Sequence, residues 1–404
     1  MIIVRIDLSR SYDAVESFVR EFEGWLEGLG VRRRRPDQIG AGDFSVAVFD
    51  DQTPEEERAA VDRGRDWERT KYDAGWGPVD WPEQFGGRGL AAAFAAALRT
   101  AEQDWELPRR NELFAVTQHM IAPTVRDWGT AEQVERFVRA LLRTDIMACQ
   151  LFSEPEAGSD LAAVRTRARR DGSDWVLDGQ KVWSSMASCA QYGEAICRSD
   201  PDAPKHAGLT AFLVPLDLPG VTIRPIRQMT GGACFNEVFL DEVRVPDMLR
   251  LGPEGSGWRV ALTTLSAERS DSGGLGAGTV DKLLALARHR GVSSPALVDE
   301  IVQLWIHDRV LVLSNQRAAA EAQAGHAPGA QGSLGKLAAT TNMRRTSDVI
   351  TSLLADELTA DCGEWGTFAW TEQVLGAPGY RIAGGSDEIQ RTIIAERVLG
   401  MPRG

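Results

Sequence analysis

Gln150-Leu-Phe-Ser-Glu-Pro-Glu-Ala-Gly-Ser-Asp160 lies where the sequence changes from helical to strand-like patterning. Before about Ala148, apolar residues recur at three- and four-residue steps, as in the stripe from Val15 to Leu26, which is typical of helices with one buried face. From there to about Pro246, short apolar runs alternate with Gly, Asp and Pro turns, which indicates strands. Helical periodicity then returns at Gly257. This order predicts an α+β fold.

We predict three domains from this change of pattern. They are an N-terminal helical domain over residues 1–145, a middle, small β-barrel-like domain over 146–250 and a C-terminal four-helix bundle over 251–404. The last domain is expected to be a bundle because its apolar residues keep a helical period over long segments. Its helices are expected at about 257–290, 296–324, 334–359 and 386–399.

The composition limits the class of protein. The chain has 404 residues and a net charge of −13, which argues against a nucleic-acid-binding protein because such proteins carry a basic face. No apolar run reaches the ~18 residues of a membrane helix, and no secretory signal follows Met1. The cysteines stand at no metal-binding or redox spacing, so we expect reduced thiols, a cytoplasmic protein and no metal site. They are Cys149, Cys189, Cys197, Cys234 and Cys362.

Two segments in the β region contain groups that could bind a flat, polar ligand. The segment from Gln150 to Asp160 is predicted to be a turn whose hydroxyls and backbone N–H groups could bind a ligand. The alternative is a capped β-turn in which the same side chains form hydrogen bonds only with the local backbone. In Gly179-Gln-Lys-Val-Trp-Ser-Ser185, a Trp stands beside two hydroxyls and could pack on a ring while they bond its rim. The alternative there is an ordinary strand with a core Trp.

Together the two segments resemble the signatures of the acyl-CoA dehydrogenase family. Those signatures read roughly Ser/Thr-Glu-Pro-x-x-Gly-Ser-Asp and Gly-x-Lys-x-Trp-x-Thr/Ser. The resemblance extends from about residue 65 to the end of the chain through further segments in the family's order. These are Trp81-Pro-Glu-Gln-Phe-Gly-Gly87, Gln228 to Pro246, Ala383-Gly-Gly-Ser-Asp-Glu-Ile-Gln-Arg391 and Ile394 to Pro402.

The resemblance implies an FAD site between the β domain and the C-terminal bundle. Ser153 would offer its hydroxyl to the ring near N5, Trp183 would pack beside the ring, and Ser185 would bond its edge. Ser159 would contact the CoA pyrophosphate region or the flavin phosphates. The full set of cofactor-binding residues implied in this way is Gln150, Leu151, Phe152, Ser153, Ser159, Trp183, Ser184, Ser185, Gln373, Ser386 and Glu388.

The reaction implied is α,β-desaturation of an acyl thioester. In the family a carboxylate removes the α-proton while hydride leaves the β-carbon for flavin N5. The thioester carbonyl must be polarised to acidify that proton, and each hydrogen-bond donor of this kind typically contributes roughly 3–4 kcal/mol. One of these donors in the family is a backbone N–H beside the base position.

The base itself departs from the commonest family pattern. Many members carry a Glu just before the Gly-Thr-Ser of the C-terminal signature, and alignment on Gly385-Ser386 places Gly384 there. A subset that includes isovaleryl- and long-chain-type members carries the base on the first bundle helix in a Leu-x-x-Glu-Arg context, which here is Leu265-Ser-Ala-Glu268-Arg269. Glu268 is therefore the predicted base, although an exposed Glu-Arg pair is the commoner fate of such residues. The predicted substrate-binding residues are Ser159, Arg269, Gly384 and Gly385.

The resemblance also implies partners. These are an acyl-CoA or an acyl-carrier thioester as substrate and an electron-transfer flavoprotein as electron acceptor, with a homotetramer or homodimer, or a hetero-oligomer, as the assembly. The family's Arg-x-x-Phe-Gly segment, which reaches the FAD of a neighbouring subunit, is replaced here by Arg288-His-Arg-Gly-Val-Ser-Ser-Pro295, without Phe-Gly. Two alternatives therefore stand beside the active dehydrogenase: a subunit of a hetero-oligomer with an incomplete flavin site, and a flavin oxidase or monooxygenase on the same fold.

Overall fold

The fold consists of helices, then one sheet, then helices, which confirms the predicted α+β class. The computed structural model describes residues 8–34, 46, 49, 51–271, 278–323 and 330–402. Within these ranges every strand lies between residues 148 and 251, and the long helices lie before and after them.

Six α-helices precede the sheet. The long helix α1 places Phe22 and Leu26 in a buried aromatic cluster with Trp76, as the apolar stripe predicts. Two later helices begin at complete capping boxes, with Thr53 and Thr130 as the N-caps, so side chains satisfy their first N–H groups. A π-helical turn, Val116–Ile121, joins the fourth helix to the fifth. The helices are α1 (Leu8–Gly28), α2 (Pro54–Asp73), α3 (Ala92–Glu102), α4 (Glu112–Ala115), α5 (Ala122–Trp128) and α6 (Ala131–Leu142).

The middle region is a single eight-stranded sheet. Its strands are β1 (Ala148–Leu151), β2 (Arg167–Asp171), β3 (Asp174–Ser185), β4 (Tyr192–Arg198), β5 (Leu209–Pro215), β6 (Val221–Ile226), β7 (Phe235–Pro246) and β8 (Arg250–Leu251). They are ordered β6-β7-β3-β2-β4-β5-β8, and β1 pairs with β4 in parallel. The burial of β4 and β5 is nearly continuous, with the later helix Gly257–Asp271 packed against them and Phe212 of β5 packed on Trp175 of β3.

The C-terminal helices follow the predicted period with two differences. They are α7 (Gly257–Asp271), α8 (Thr279–His289), α9 (Pro295–Gln323), α10 (Gln331–Leu354), α11 (Ala369–Tyr380) and α12 (Asp387–Ile393). The single helix predicted at about 257–290 was wrong, because Gly278 adopts a left-handed conformation (φ 78°) and α8 begins after it. Helix α11 was not predicted, since Gly376 and Pro378 weaken its helical signal, and tertiary packing around the buried Trp370 overrides them.

The helices of the described ranges include none with the length and apolar character needed to cross a membrane.

Candidate active site

A buried ion pair joins the two sequence segments that suggested a ligand site. Lys181 Nζ lies 2.8 Å from Glu154 Oε1 and also donates to the carbonyls of Phe152 (3.2 Å) and Ile196 (2.7 Å). Glu154 in turn accepts from the backbone N–H groups of residues 165 and 166 at 2.6 and 2.9 Å. The segment from Gln150 to Asp160 is therefore fixed against strand β3, directly before the Trp-Ser-Ser sequence.

Trp183 lies in strand β3 at an irregularity in the pairing between β3 and β7. The register shifts between Lys181 and Ser184, and Trp183 adopts a left-handed conformation with φ 59°. Its side chain is 59% exposed and rests edge-on against Phe235, with the ring centroids 6.0 Å apart. A large apolar side chain held out of a sheet by a strained bulge is a feature found at ligand sites.

The two serines after Trp183 lie beside a glutamate from helix α4. Ser184 is buried, and its hydroxyl has no hydrogen-bond partner among the described residues. Ser185 forms a side-chain hydrogen bond with Glu112. Burial raises the pKa of Glu112, while the hydrogen bond with Ser185 lowers it by a smaller amount. Part of the Glu112 side chain remains exposed to solvent. The contact between Ser185 and Glu112 therefore places helix α4 beside the end of strand β3.

The residues at the end of β1 divide between the core and the surface. Leu151 and Phe152 are buried in the main hydrophobic core. Gln150 and Ser153 are partly exposed, and the Gln150 amide nitrogen is buried without a hydrogen-bond partner among the described residues. Of these four predicted flavin residues, Gln150 and Ser153 have the accessible polar side chains.

A row of aromatic rings connects the Trp183 bulge to the C-terminal helices. Phe49 packs edge-on against Phe235 with the centroids 5.3 Å apart, and it stacks on Tyr380 at 5.1 Å with an interplanar angle of 2°. Since Phe235 also contacts Trp183, the row runs from strand β3 to the end of helix α11. Phe49 was not predicted as a site residue, because only the tertiary structure brings it between the two domains.

The turn that contains Gly384 and Gly385 follows Tyr380. Both glycines have positive φ angles, 65° and 92°, a region that glycine enters without steric cost. Lys336 holds the turn by donating to the carbonyl of Tyr380 at 2.7 Å and of Gly385 at 3.4 Å. Gln390 donates to the carbonyls of both glycines at 3.0 and 3.1 Å. Their N–H groups, in contrast, have no hydrogen-bond partner among the described residues.

Four other predicted ligand residues serve local structure or lie elsewhere. Ser386 is the N-cap of α12 and accepts from the Ile389 N–H at 3.4 Å, and Glu388 is exposed within the same turn. Gln373 is only 1% exposed and is bonded to Met343 O and Ser347 Oγ inside the bundle, so it presents almost no surface to a ligand. Ser159 is exposed on the loop after Glu154.

The predicted base lies on helix α7. Glu268 and Arg269 belong to the span Gly257–Asp271, while their side chains lie outside the described part of the chain. Sequence reasoning missed a second glutamate that bears on this helix, Glu194 of strand β4. Its carboxyl is buried and hydrogen-bonded to Thr264 Oγ1 at 2.9 Å, one turn before Glu268. No sequence signal separated Glu194 from an ordinary strand residue.

Family models of the acyl-CoA dehydrogenases match the chain over nearly all of this architecture. The N-terminal domain model matches residues 46–145, the middle domain model 149–243 and the C-terminal domain model 255–399. The chain belongs to the acyl-CoA dehydrogenase family. Acyl-CoA dehydrogenases are oxidoreductases, and the chain is an enzyme of this kind.

Curated acyl-CoA dehydrogenases from Mycobacterium tuberculosis are similar over most of the chain. Acyl-CoA dehydrogenase IpdE1 is 37% identical over 96% of this chain and 98% of its own length. Acyl-CoA dehydrogenase FadE34 is 38% identical over 94% of this chain, which corresponds to 52% of FadE34.

Solved acyl-CoA dehydrogenase structures have the same fold. The Tcur3481-Tcur3483 steroid ACAD superposes with a TM-score of 0.78 at 26% identity and covers 97% of this chain and 98% of that one. The ChsE4-ChsE5 complex from Mycobacterium tuberculosis superposes with a TM-score of 0.76 at 24% identity over all of both chains, which is a likeness of fold alone.

The residues around Trp183 have the chemistry that a flavin cofactor needs. Acyl-CoA dehydrogenases are in general flavoproteins, and a flavin presents an apolar face and a polar rim. Trp183 offers an exposed aromatic surface, and the buried groups of Ser184 and Gln150 are hydrogen-bonding atoms for which the described protein supplies no partner. Since buried polar groups without partners are rare in native proteins, these residues fit the rim of such a ring.

Proposed function

We propose that this acyl-CoA dehydrogenase is FAD-dependent and desaturates an acyl thioester between Cα and Cβ, with Glu268 as the base. The observation that carries the proposal is the exposed, left-handed Trp183 beside the unpartnered hydroxyl of Ser184. The strained backbone at Trp183 and the unsatisfied hydroxyl of Ser184 are both explained by a bound ring that packs on the Trp side chain and forms a hydrogen bond with the hydroxyl.

The residues around the Trp183 bulge would hold the cofactor. Trp183 would pack on the ring, while Ser153, Ser184, Ser185 and Gln150 would bond its polar edge. FAD, when bound, supplies the acceptor for the hydride that leaves the substrate. The chain's own task is then to orient the thioester, exclude water and accept the α-proton.

Glu268 is the proposed proton acceptor. The position that carries the base in many relatives is Gly384, which has no side chain to take a proton, and Glu268 lies on the bundle helix that passes over strand β4 and the end of β5. A single carboxylate at the α-carbon avoids the repulsion of two.

The Gly384–Gly385 turn would polarise the thioester carbonyl. Its two N–H groups have no partner among the described residues, while Lys336 and Gln390 fix the turn through its carbonyls. N–H groups that are held in place in this way form a preorganised oxyanion site, which stabilises the negative charge that develops on the oxygen as the α-proton leaves.

We infer that the acyl group is bulky and bears rings. A protein with 26% identity over nearly the whole chain is a steroid ACAD, and Gly384 has no side chain at the position where many family members carry a glutamate. The thioester would be carried by CoA or by an acyl-carrier protein, and an electron-transfer flavoprotein would reoxidise the enzyme. None of the five cysteines, all of which lie within the described residues, forms a disulfide, which supports a reducing compartment such as the cytoplasm.

We also propose that the chain works as an oligomer. Helix α9 exposes an apolar stripe at three- and four-residue steps that the described chain leaves uncovered, a feature that marks subunit interfaces. The similarity to the Tcur3481-Tcur3483 and ChsE4-ChsE5 assemblies supports a hetero-oligomer beside the homodimer and the homotetramer. The stripe consists of Val298, Val302, Trp305, Ile306, Val310 and Leu313.

Anaerobic reduction of the bound flavin tests the proposed function. The purified protein, or its complex with a co-expressed partner, is mixed with straight-chain, branched and steroid-ring acyl-CoAs, and flavin absorbance is followed. We expect bleaching with the ring-bearing thioesters and no peroxide after oxygen is admitted with an electron-transfer acceptor present. Stoichiometric peroxide would assign the oxidase alternative, and a colourless protein that gains flavin only with a partner would assign the incomplete-subunit alternative.

A further inference from the structure

Strand β4 carries a glutamate in the core, where a charge is costly. Glu194 is 0% exposed, and within the described ranges it forms no ion pair with a basic residue. Its two carboxyl oxygens lie 2.9 and 3.1 Å from Thr264 Oγ1. One hydroxyl compensates poorly for the desolvation of a full negative charge, so the surroundings favour the neutral acid. Accordingly, burial raises the pKa of Glu194 to about 8, against the effect of the Thr264 bond.

The hydrogen bonds beyond Thr264 are compatible with the protonated form. Thr264 Oγ1 lies 2.9 Å from Thr124 Oγ1, and Thr124 Oγ1 lies 2.9 Å from the Met120 carbonyl. Each hydroxyl has one proton. Thr264 donates to Glu194 in this geometry, and a protonated Glu194 can also donate to Thr264 when Thr264 donates to Thr124 instead. The other acceptor for Thr264, the Val260 carbonyl, is more distant at 3.4 Å. The protonated acid therefore fits either direction of this chain of hydrogen bonds, whereas the ionised form fits only as an acceptor.

This chain of hydrogen bonds joins three elements at the place where α7 crosses the sheet. Glu194 belongs to β4 and is paired with Gln150 of β1, Thr264 belongs to α7, and Thr124 belongs to α5. A second bond, from Trp128 Nε1 to Thr263 Oγ1 at 2.9 Å, ties the same turn of α7 to α5. Among these contacts, the Glu194 bond is the one that ties α7 directly to the sheet.

Apolar packing alone fixes the position of a helix loosely, because it has little direction. A buried hydrogen bond does have direction, and it specifies one rotation and one height of the helix over the strand. Residue 268 lies one helical turn, four residues, beyond Thr264. A small shift of α7 would therefore move the proposed base relative to the strand that carries Gln150.

We propose that Glu194 is a positioning residue, which through Thr264 sets where helix α7 lies on strand β4 and hence where Glu268 is presented to the substrate. This inference rests on the proposed function for the role of Glu268. The part that concerns helix α7 stands on the described contacts alone.

The test compares Glu194→Gln with Glu194→Leu in the FAD-loaded protein. Gln keeps a donor at the same place as the protonated acid, whereas Leu has a similar size and no donor. We expect amide hydrogen exchange over residues 257–271 to rise at least tenfold in the Leu variant and to stay within threefold of wild type in the Gln variant. We also expect kcat to fall about tenfold in the Leu variant, with KM and flavin content kept, and to be restored by Gln. Unchanged exchange in the Leu variant, or equal changes in both variants, would overturn the inference.

A second pair of variants keeps the test decisive if Glu194→Leu does not fold. Thr264→Ser keeps the hydroxyl and Thr264→Val removes it, and the same contrast in exchange and kcat is expected between them. The two proposals fail differently. If none of the acyl-CoAs bleaches the flavin of the wild-type protein, the proposed function is contradicted. Hydrogen exchange over residues 257–271 still decides the positioning role in that case. If the wild-type protein is bleached as expected and the Thr264→Val variant keeps wild-type hydrogen exchange, only the positioning role is contradicted.

Discussion

Lys181 and Glu154 form a buried ion pair, 2.8 Å between Nζ and Oε1, that joins the two segments of the middle domain nearest the candidate site. Lys181 is fully buried, and all three of its donors are used by Glu154 and two carbonyls. Burial raises the pKa of Glu154, but the charge of Lys181 and three hydrogen-bonding effects outweigh it and leave the pKa below its usual value. The loop that begins at Glu154 is therefore fixed by charge as well as by packing.

Replacing one member of this pair should cost more than replacing both. Lys181→Met leaves a buried carboxylate without its partner, which should lower the free energy of unfolding by about 3–5 kcal/mol. The double variant Lys181→Met with Glu154→Leu should lose less than the sum of the two single changes. Urea denaturation of the four proteins gives the coupling energy. The exposed pair Arg167–Asp178 is the control, and Arg167→Ala should change stability by at most about 1 kcal/mol.

Trp183 should matter for the flavin and not for the fold. Because its side chain is largely exposed and its φ is positive, Trp183→Gly removes little packing and relieves backbone strain of about 1–2 kcal/mol. We expect the thermal midpoint to hold or rise while the Kd for FAD increases about tenfold. Trp183→Phe, which keeps an aromatic face, should restore most of the affinity. A Gly variant with wild-type Kd would remove Trp183 from the site.

Glu268→Gln should lower turnover by ~10²–10⁴ while FAD stays bound, since the amide cannot accept the α-proton. Stopped-flow bleaching with the best acyl-CoA measures the reductive step directly. Glu254→Gln is the matched control, because Glu254 is an exposed carboxylate just before helix α7, and its bleaching rate should equal that of wild type. Equal rates in the two variants would show that another group is the base.

Glu194 should make the protein less stable as the pH rises. Its folded pKa is raised from 4.5 to about 8, so between these values the native state keeps a proton that the unfolded chain releases. The contribution of protonated Glu194 to the free energy of unfolding is fully present below about pH 4.5. It decreases by up to about 1.4 kcal/mol per pH unit as the pH rises towards 8. Glu194→Gln should flatten this part of the curve in urea denaturation series. The same change at Glu135, exposed on α6, should leave the slope as in wild type.

The apolar stripe of α9 should be needed for assembly. Leu313→Glu places a charge on the exposed apolar stripe, and burying that charge at an interface is costly. We expect light scattering after size exclusion to show smaller particles than wild type, with the helical circular dichroism kept. Gln303→Glu, which adds the same charge at an exposed site of the same helix outside the stripe, should leave the mass unchanged. An unchanged mass for Leu313→Glu would place the interface elsewhere.

Local pattern predicted most of the secondary structure, because the period of apolar residues is a property of neighbouring positions. It failed where two local signals conflicted. Glycine-rich sequence after α7 divides one predicted helix into two, and packing around Trp370 forms α11 in spite of Gly376 and Pro378. Neither outcome follows from propensity alone, since burial can outweigh about 1 kcal/mol per glycine.

The sequence by itself determined the family, the order of helices and sheet, and the segments around Ser153 and Trp183, because short motifs and periodicity are written along the chain. Tertiary structure alone decided which distant groups meet: Lys181 with Glu154, Phe49 with Tyr380, and Glu194 with Thr264. The physical reason is that charge pairing, ring stacking and buried hydrogen bonds act over a few ångströms in space. Residues 70 positions apart, such as Glu194 and Thr264, become neighbours only when the helix is laid across the sheet.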